Sequence, residues 1–339
     1  MCSKITVEDE IFLFQHQYLI SKLRHRLCMY RSQLLSPALS ILYNSEKVRI
    51  SDLKNDKNIL LGIKIMPDLR YLEVPSLDSS IGRLQNLEFL CVKPKYEISI
   101  PTYLLNMPKL RHLNVGVLVS PAKFIKNCDG SRINSLQTLC YVLIDNSKDE
   151  EILRCSPNLL ALKCRSSYDF TPNLSFLSQL ESLKFHGSVS KIDYSVVNFP
   201  KNIKKLSLER LNLPWEKISL IGTLPNLEIL KLKCNSFEGE IWSTKDDEFQ
   251  KLKFLKLYLL DLEEWNSLNN HFPILERLVL QSCKKLERIP PDFSNILTLQ
   301  KINVYNCCKT VESSALQICE EQQDNGNDEF EVIVRNSKW

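Results

Sequence analysis

Apolar side chains recur along this chain at the first, fourth and sixth places of one six-residue word, L-x-x-L-x-L. Its eleven occurrences start at Leu69, Leu87, Leu110, Leu136, Leu159, Leu180, Ile203, Leu227, Leu252, Leu275 and Leu299. Spacings run from 18 to 26 residues with a mean of 23, and 31 of the 33 apolar slots hold Leu, Ile, Val or Phe. Tyr141 and Cys164 fill the other two. Within each word the last apolar positions alternate with other residues, the period of a strand with one buried face. Proline stands two residues ahead of the word at Pro67, Pro108, Pro157, Pro225 and Pro273, and three ahead at Pro200. A locked φ and a missing N–H end any preceding turn and bias the neighbouring residue to extended geometry, so each proline marks a strand entry. Ile100-Pro101 and Ile289-Pro290 mark return segments on the opposite side.

A strand of this kind cannot bury its apolar edge alone, and a repeat of 20–29 residues carrying this word predicts stacked units. The expected fold is an α/β solenoid: a leucine-rich repeat horseshoe with a parallel concave sheet, about 11 clear repeats and degenerate N-terminal units. Residues 1–66 are expected as a helical capping segment with degenerate first repeats. Val7–Leu27 has helical spacing at Ile11, Phe14 and Tyr18, while Leu27–Tyr30 and Leu39–Leu42 fit weak strands. Residues 67–319 form the repeats. Residues 320–339 read as an acidic, solvated tail, with Glu320, Glu321, Asp324, Asp328, Glu329 and Glu331 and no basic residue between positions 320 and 331. Phe330–Val334 is a candidate for a last strand within it.

Composition narrows the setting. Apolar residues make up 44% and charged residues 25%, ordinary values for a soluble globular protein. No run approaches the ~20 apolar residues a membrane helix needs; Ile59–Met66 comes nearest. Glu8, Asp9 and Glu10 stand where a secretory leader would be basic, and the 12 cysteines include no C-x-x-C pair. A reduced, cytoplasmic protein is expected. Cys283, Cys307 and Asn235 share the place three residues beyond the third apolar slot, where such side chains bond the turn backbone.

Candidate chemistry is sparse. There is no phosphate-binding glycine loop, no G-x-S-x-G elbow and no H-E-x-x-H. His112 and His186 hold the same slot three repeats apart, roughly 15 Å at ~4.8 Å per strand, too far for a shared metal. Glu263-Glu264 reads as a solvated loop rather than an acid–base couple. The sequence predicts no enzyme and no cofactor.

The second, fourth and sixth places after each first Leu should point to the concave surface. They hold ten basic residues: Lys93, Lys163, Arg165, Lys184, Lys205, Lys231, Lys233, Lys256, Arg277 and Lys301. Only Glu73 and Glu209 are acidic there, so this face carries +8 while the whole chain carries +4. Phe89, Phe254, Tyr258 and Tyr305 share it. The expected partner-binding set is Lys163, Arg165, Lys184, Lys205, Lys231, Lys233, Lys256, Tyr258, Arg277, Lys301 and Tyr305, which fits an acidic protein surface. Neither nucleic acid nor membrane insertion is expected.

The segments PDLRYLEVPSLDSSIGRLQNLEFLCV (67–92), FPKNIKKLSLERLNLPWEKISLIGTLPNLEILKLKCNSFEGEIW (199–242) and FPILERLVLQSCKKLERIPPDFSNILTLQKINVYNC (272–307) carry a specific resemblance. They resemble the leucine-rich repeat region of plant intracellular NBS-LRR disease-resistance proteins of the late-blight type, from about Arg26 onward. The resemblance implies a non-catalytic recognition module of plant immunity. It would bind a pathogen effector, a host guardee protein or the nucleotide-binding domain of an immune receptor. The family's ADP/ATP site lies in that nucleotide-binding domain, and nothing in this chain matches its motifs. The chain is then a truncated gene product or a fragment. A substrate-receptor subunit of a ubiquitin ligase, with an F-box-like N-terminal segment, is the alternative.

Overall fold

The computed structural model describes residues 27–29, 47–50, 69–74, 76–93, 101–104, 106–119, 135–167, 170–188 and 198–335. It divides into two compact units, 1–117 and 118–339.

In the first unit, β1 (Leu27–Met29), β2 (Lys47–Ile50), β3 (Tyr71–Val74), β4 (Phe89–Val92) and β5 (His112–Val119) run parallel in chain order. β1 coincides with the first weak strand expected at Leu27–Tyr30. The expected helix at Val7–Leu27 and strand at Leu39–Leu42 lie outside the described residues, and β2 had no expectation attached. Leu69, Leu72 and Val74 are buried, as are their equivalents Leu87, Leu90, Val92, Leu110, Leu113 and Val115. On the other face Tyr71 stacks on Phe89 at 4.7 Å. There Glu73 accepts from Tyr71 Oη at 3.1 Å and from Lys93 Nζ at 2.8 Å.

The second unit repeats the arrangement more often. Its main strands are β6 (Thr138–Ile144), β7 (Ala161–Ser166), β8 (Ser182–His186), β9 (Lys205–Glu209), β11 (Ile229–Lys233), β14 (Phe254–Tyr258), β16 (Arg277–Gln281), β17 (Lys301–Tyr305) and β18 (Glu331–Arg335). Each pairs in parallel with the next. Leu206 and Leu208, Leu230 and Leu232, Leu255 and Leu257, and Ile302 and Val304 all point into one buried layer. Cys164 lies in that layer too, and burial pushes its thiol far above the ordinary range. Arg210, Cys234, Leu259, Ser282 and Asn306 leave their strands at left-handed φ values between 42° and 55°. The turn this makes still lets the Cys234, Leu259 and Ser282 N–H groups reach the last carbonyl of the next strand, at 2.8–2.9 Å.

One expected core slot is corrected. Cys140 pairs with Lys163, but Val142 rather than Tyr141 pairs with Cys164, because Tyr141 is an inserted residue at φ 66°. A bulge shifts side-chain parity by one, so Val142 is buried and Leu143 takes the outward place.

Opposite the main strands run two short parallel pairs, β10 (Leu213–Pro214) with β12 (Phe237–Glu238) and β13 (Ile241–Ser243) with β15 (Glu264–Asn266). They carry an aromatic ladder. Trp242 stacks between Trp215 and Trp265 at 4.8 Å from each, and Phe249 stacks on Phe272 at 5.0 Å. Among the described residues the unit has three α-helices: α1 (Ser147–Arg154), the single turn α2 (Ser219–Gly222) and α3 (Lys309–Asp324). α3 runs through the boundary expected at residue 320. It buries Val311, Ala315, Ile318 and Gln322, and β18 falls where a last strand was expected at Phe330–Val334. Gln322 Nε2 donates to the carbonyls of Ser294 at 2.8 Å and Ile296 at 3.0 Å, fastening the helix to the preceding repeat.

The thiols Cys283 and Cys307 sit where turn-bonding residues were expected. Cys283 Sγ lies 3.7 Å from the Leu257 and Gln281 carbonyls, and Cys307 Sγ lies 3.5 Å from that of Tyr305. The Cys283 thiol hydrogen-bonds to Cys307 and lowers its ionisation to about 7. The same contact, with burial, raises Cys283.

Candidate functional site

Alternation along each strand sends every second side chain away from the core, and the parallel register stacks those side chains into three columns. In the second unit the middle column reads Cys140, Lys163, Lys184, Ser207, Lys231, Lys256, Val279, Asn303 and Ile333. One flanking column holds Lys205, Ile229, Phe254, Arg277, Lys301 and Glu331 in succession. The other holds Arg165, His186, Glu209, Lys233, Tyr258, Gln281, Tyr305 and Arg335. All eleven residues of the expected binding set stand in these columns.

Their exposure is uneven. Arg277 is exposed, and Lys163, Arg165, Lys184, Lys205, Lys233, Tyr258, Lys301 and Tyr305 are half-buried. Lys231 and Lys256 are only 8% and 3% exposed. Aromatic rings shelter them: the Lys231 ammonium lies 5.4 Å from the Phe254 ring centre, and Lys256 lies 5.7 Å from that of Tyr258. The Arg277 guanidinium is 5.8 Å from Phe254 as well, so that ring serves two cations. Such contacts are worth about 0.5–1 kcal/mol at exposed sites and more when desolvated. Arg277 also donates to Asn303 Oδ1 at 3.2 Å, whose amide donates to Tyr305 Oη at 2.9 Å.

Lys163 faces Lys184, and Lys231 faces Lys256, in adjacent rungs of one column. At ~5 Å two like charges repel by about 0.8 kcal/mol in bulk water, and by several times that at the effective dielectric near a protein surface.

His186 was not in the expected set. Its Nε2 lies 3.6 Å from Glu209 Oε1, and its Nδ1 is buried without a hydrogen-bond partner. Burial lowers its proton affinity below the ordinary 6.5, Glu209 opposes this, and Arg165 and Arg210 reinforce it. Burial between neighbouring strands dominates this behaviour, which a single strand's sequence does not display.

Away from the columns, His271 makes the contacts of an acid–base relay. Nδ1 lies 2.6 Å from Thr244 Oγ1 and accepts the Leu268 N–H at 3.3 Å, while Nε2 faces Asp246 Oδ1 at 3.3 Å. Thr244 and His271 are both buried, and Thr244 Oγ1 is also held by Ser267 Oγ at 2.9 Å. The network closes a turn. Among the described residues no three His, Cys, Asp or Glu side chains gather as a metal site requires, and no helix is long and apolar enough to cross a membrane.

The sequence model of the family described as "Leucine-rich repeat region" matches residues 48–325. Late blight resistance protein homolog R1B-16 of Solanum demissum is 33% identical over 321 residues, covering 90% of this chain and 25% of that protein. Late blight resistance protein R1-A of the same species is 33% identical over 277 residues, covering 78% of this chain and 21% of that protein. The chain therefore spans about a quarter of the length of these relatives. Among solved structures, that of a TLR13–ssRNA13 complex superposes with a TM-score of 0.57 at 16% identity, covering 84% of this chain and 43% of that one. This likeness concerns the fold alone.

Proposed function

Since the chain belongs to the leucine-rich repeat family, we propose that it is a non-catalytic recognition module of plant immunity that binds an acidic protein surface through the three columns. The observation that carries this is the sorting of charge by face. The second unit's columns hold ten basic residues from Lys163 to Arg335 against Glu209 and Glu331. Interspersed Phe254, Tyr258 and Tyr305 supply the rigid anchors that interface cores favour. The similarity to late blight resistance proteins supports an immune role.

A nucleotide-binding domain of that protein type is the first partner to test, with a pathogen effector or a guarded host protein as the others. Any nucleotide would be held by that partner. Titration of the purified chain with the recombinant nucleotide-binding domain of R1-A, followed by fluorescence anisotropy, should give saturable binding. A flat titration would remove that domain as the partner. Co-purification with a ubiquitin-ligase adaptor would instead favour a substrate-receptor role.

A further inference from the structure

β18 closes the second unit's sheet with the sequence Glu-Val-Ile-Val-Arg, and among the described residues it is paired on one side only, with β17. The Glu331 N–H donates to the Gln300 carbonyl at 3.0 Å, and the Arg335 carbonyl accepts from the Asn306 N–H at 3.0 Å. Successive residues of a strand turn their backbone groups to alternate sides, so residues 331, 333 and 335 address β17. The N–H and C=O groups of Val332 and Val334 therefore face the open edge. Their side chains follow Ile302 and Val304 to the core side, yet they remain half-buried where Ile302 and Val304 are fully buried. An edge of this kind is a template for another strand unless charge, proline or a bulge protects it. This one has no proline, and its two charges are of opposite sign, with the Glu331 carboxylate also accepting from Lys301 Nζ of its own copy at 2.6 Å.

We propose that this edge pairs with the same edge of a second copy of the chain, forming a two-fold antiparallel dimer centred on Ile333. The five-residue word is self-complementary on reversal. With Ile333 on the axis, Val332 meets Val334 of the second copy and they exchange both backbone hydrogen bonds, and the two-fold operation repeats the exchange. Glu331 meets Arg335 of the second copy in the non-hydrogen-bonded pairs, where side chains approach most closely. The half-buried valines gain an apolar neighbour. No other register does this: a one-residue slip turns one copy's valines to the polar side, and a two-residue slip leaves a charge opposite an apolar residue or beyond the strand end. An interface in which the same patch serves both partners is the commonest form of closed assembly.

Sedimentation of the full chain over a concentration series, compared with charge-reversed variants, tests this. The parent should show a reversible monomer–dimer equilibrium. Glu331→Arg and Arg335→Glu should each raise the dimer dissociation constant about tenfold or more, because each sets like charges opposite at two symmetric positions. The double variant E331R/R335E, and an equimolar mixture of the two single variants, should recover most of the lost affinity, falling short of the parent because Arg at 331 faces Lys301 of its own copy. Val334→Pro removes an outward N–H that an edge strand can spare, and should abolish the dimer with an unchanged circular dichroism spectrum. A chain that stays monomeric at every concentration would overturn the proposal. So would a dimer indifferent to the single reversals, or a folded double variant that fails to recover.

Discussion

The Lys163 ammonium sits 3.8 Å from the centre of the Tyr141 ring. The contact exists because Tyr141 is the inserted residue of a bulge rather than a core residue, with φ at 66° and its ring left outside the buried layer. It shields one member of the Lys163–Lys184 rung. Tyr141→Phe, which keeps the ring, should change unfolding free energy by under about 0.5 kcal/mol, whereas Tyr141→Ala should lower it by about 1 kcal/mol. Urea unfolding of both variants would check this; equal losses would show that the ring contributes nothing at Lys163.

Trp242 carries the aromatic ladder. It is fully buried, stacked on Trp215 and Trp265, with Phe249 and Phe272 edge-on at 6.1 and 6.3 Å. Trp242→Ala would leave a large hole bounded by rings that cannot collapse, at a cost of about 3–5 kcal/mol. The loss should appear as a lower urea midpoint; a shift no larger than that of a surface substitution would mean the ladder is loosely packed.

Gln322 ties α3 to the repeat before it. Besides the bonds its amide donates to the Phe293, Ser294 and Ile296 carbonyls, its Oε1 accepts from Asn327 Nδ2 at 2.8 Å. Gln322→Leu keeps the volume and removes the donor to the Ser294 carbonyl, while the Ile296 carbonyl keeps the Leu299 N–H at 3.1 Å, which should cost about 1–3 kcal/mol. Amide hydrogen exchange should then rise in α3 and β18 first. Uniform exchange across the unit would place the role of Gln322 elsewhere.

His186 gives a pH dependence of known sign. Its proton affinity is lower folded than unfolded, so the folded chain binds fewer protons and loses stability as pH falls through 6.5. His186→Gln should therefore lose less stability than the parent between pH 7.5 and pH 5.5. A steeper loss in the variant would mean that protonated His186 pairs with Glu209 and stabilises the fold.

Strand positions and the outward columns were legible because the word L-x-x-L-x-L states both the buried face and its alternate. The bulge was not, since Tyr141 and Val142 are each acceptable in an apolar slot, and only register with Cys164 distinguishes them. α3 was not legible either. Val311, Ala315, Ile318 and Gln322 recur at helical spacing, but the first three fell within the span read as repeats and only Gln322 within the acidic run read as solvated. The Trp ladder lies on the irregular return segments, where spacing varies and no word repeats. The shelter of Lys231 by Phe254 crosses from one strand to the next and so is not visible within a single repeat, whereas Lys256 and Tyr258 stand two residues apart on one strand.

The claim that matters most is that the accessible lysines of the columns hold an acidic protein partner. Lys163, Lys184 and Lys233 are half-buried rather than enclosed, so their reversal to Glu leaves the core intact. Affinity for the R1-A nucleotide-binding domain should be measured for the parent and for K163E/K184E/K233E across a sodium chloride series. The account predicts a large loss for the triple variant at low salt that narrows as salt screens the parent's attraction. Equal affinities at every salt concentration would contradict it.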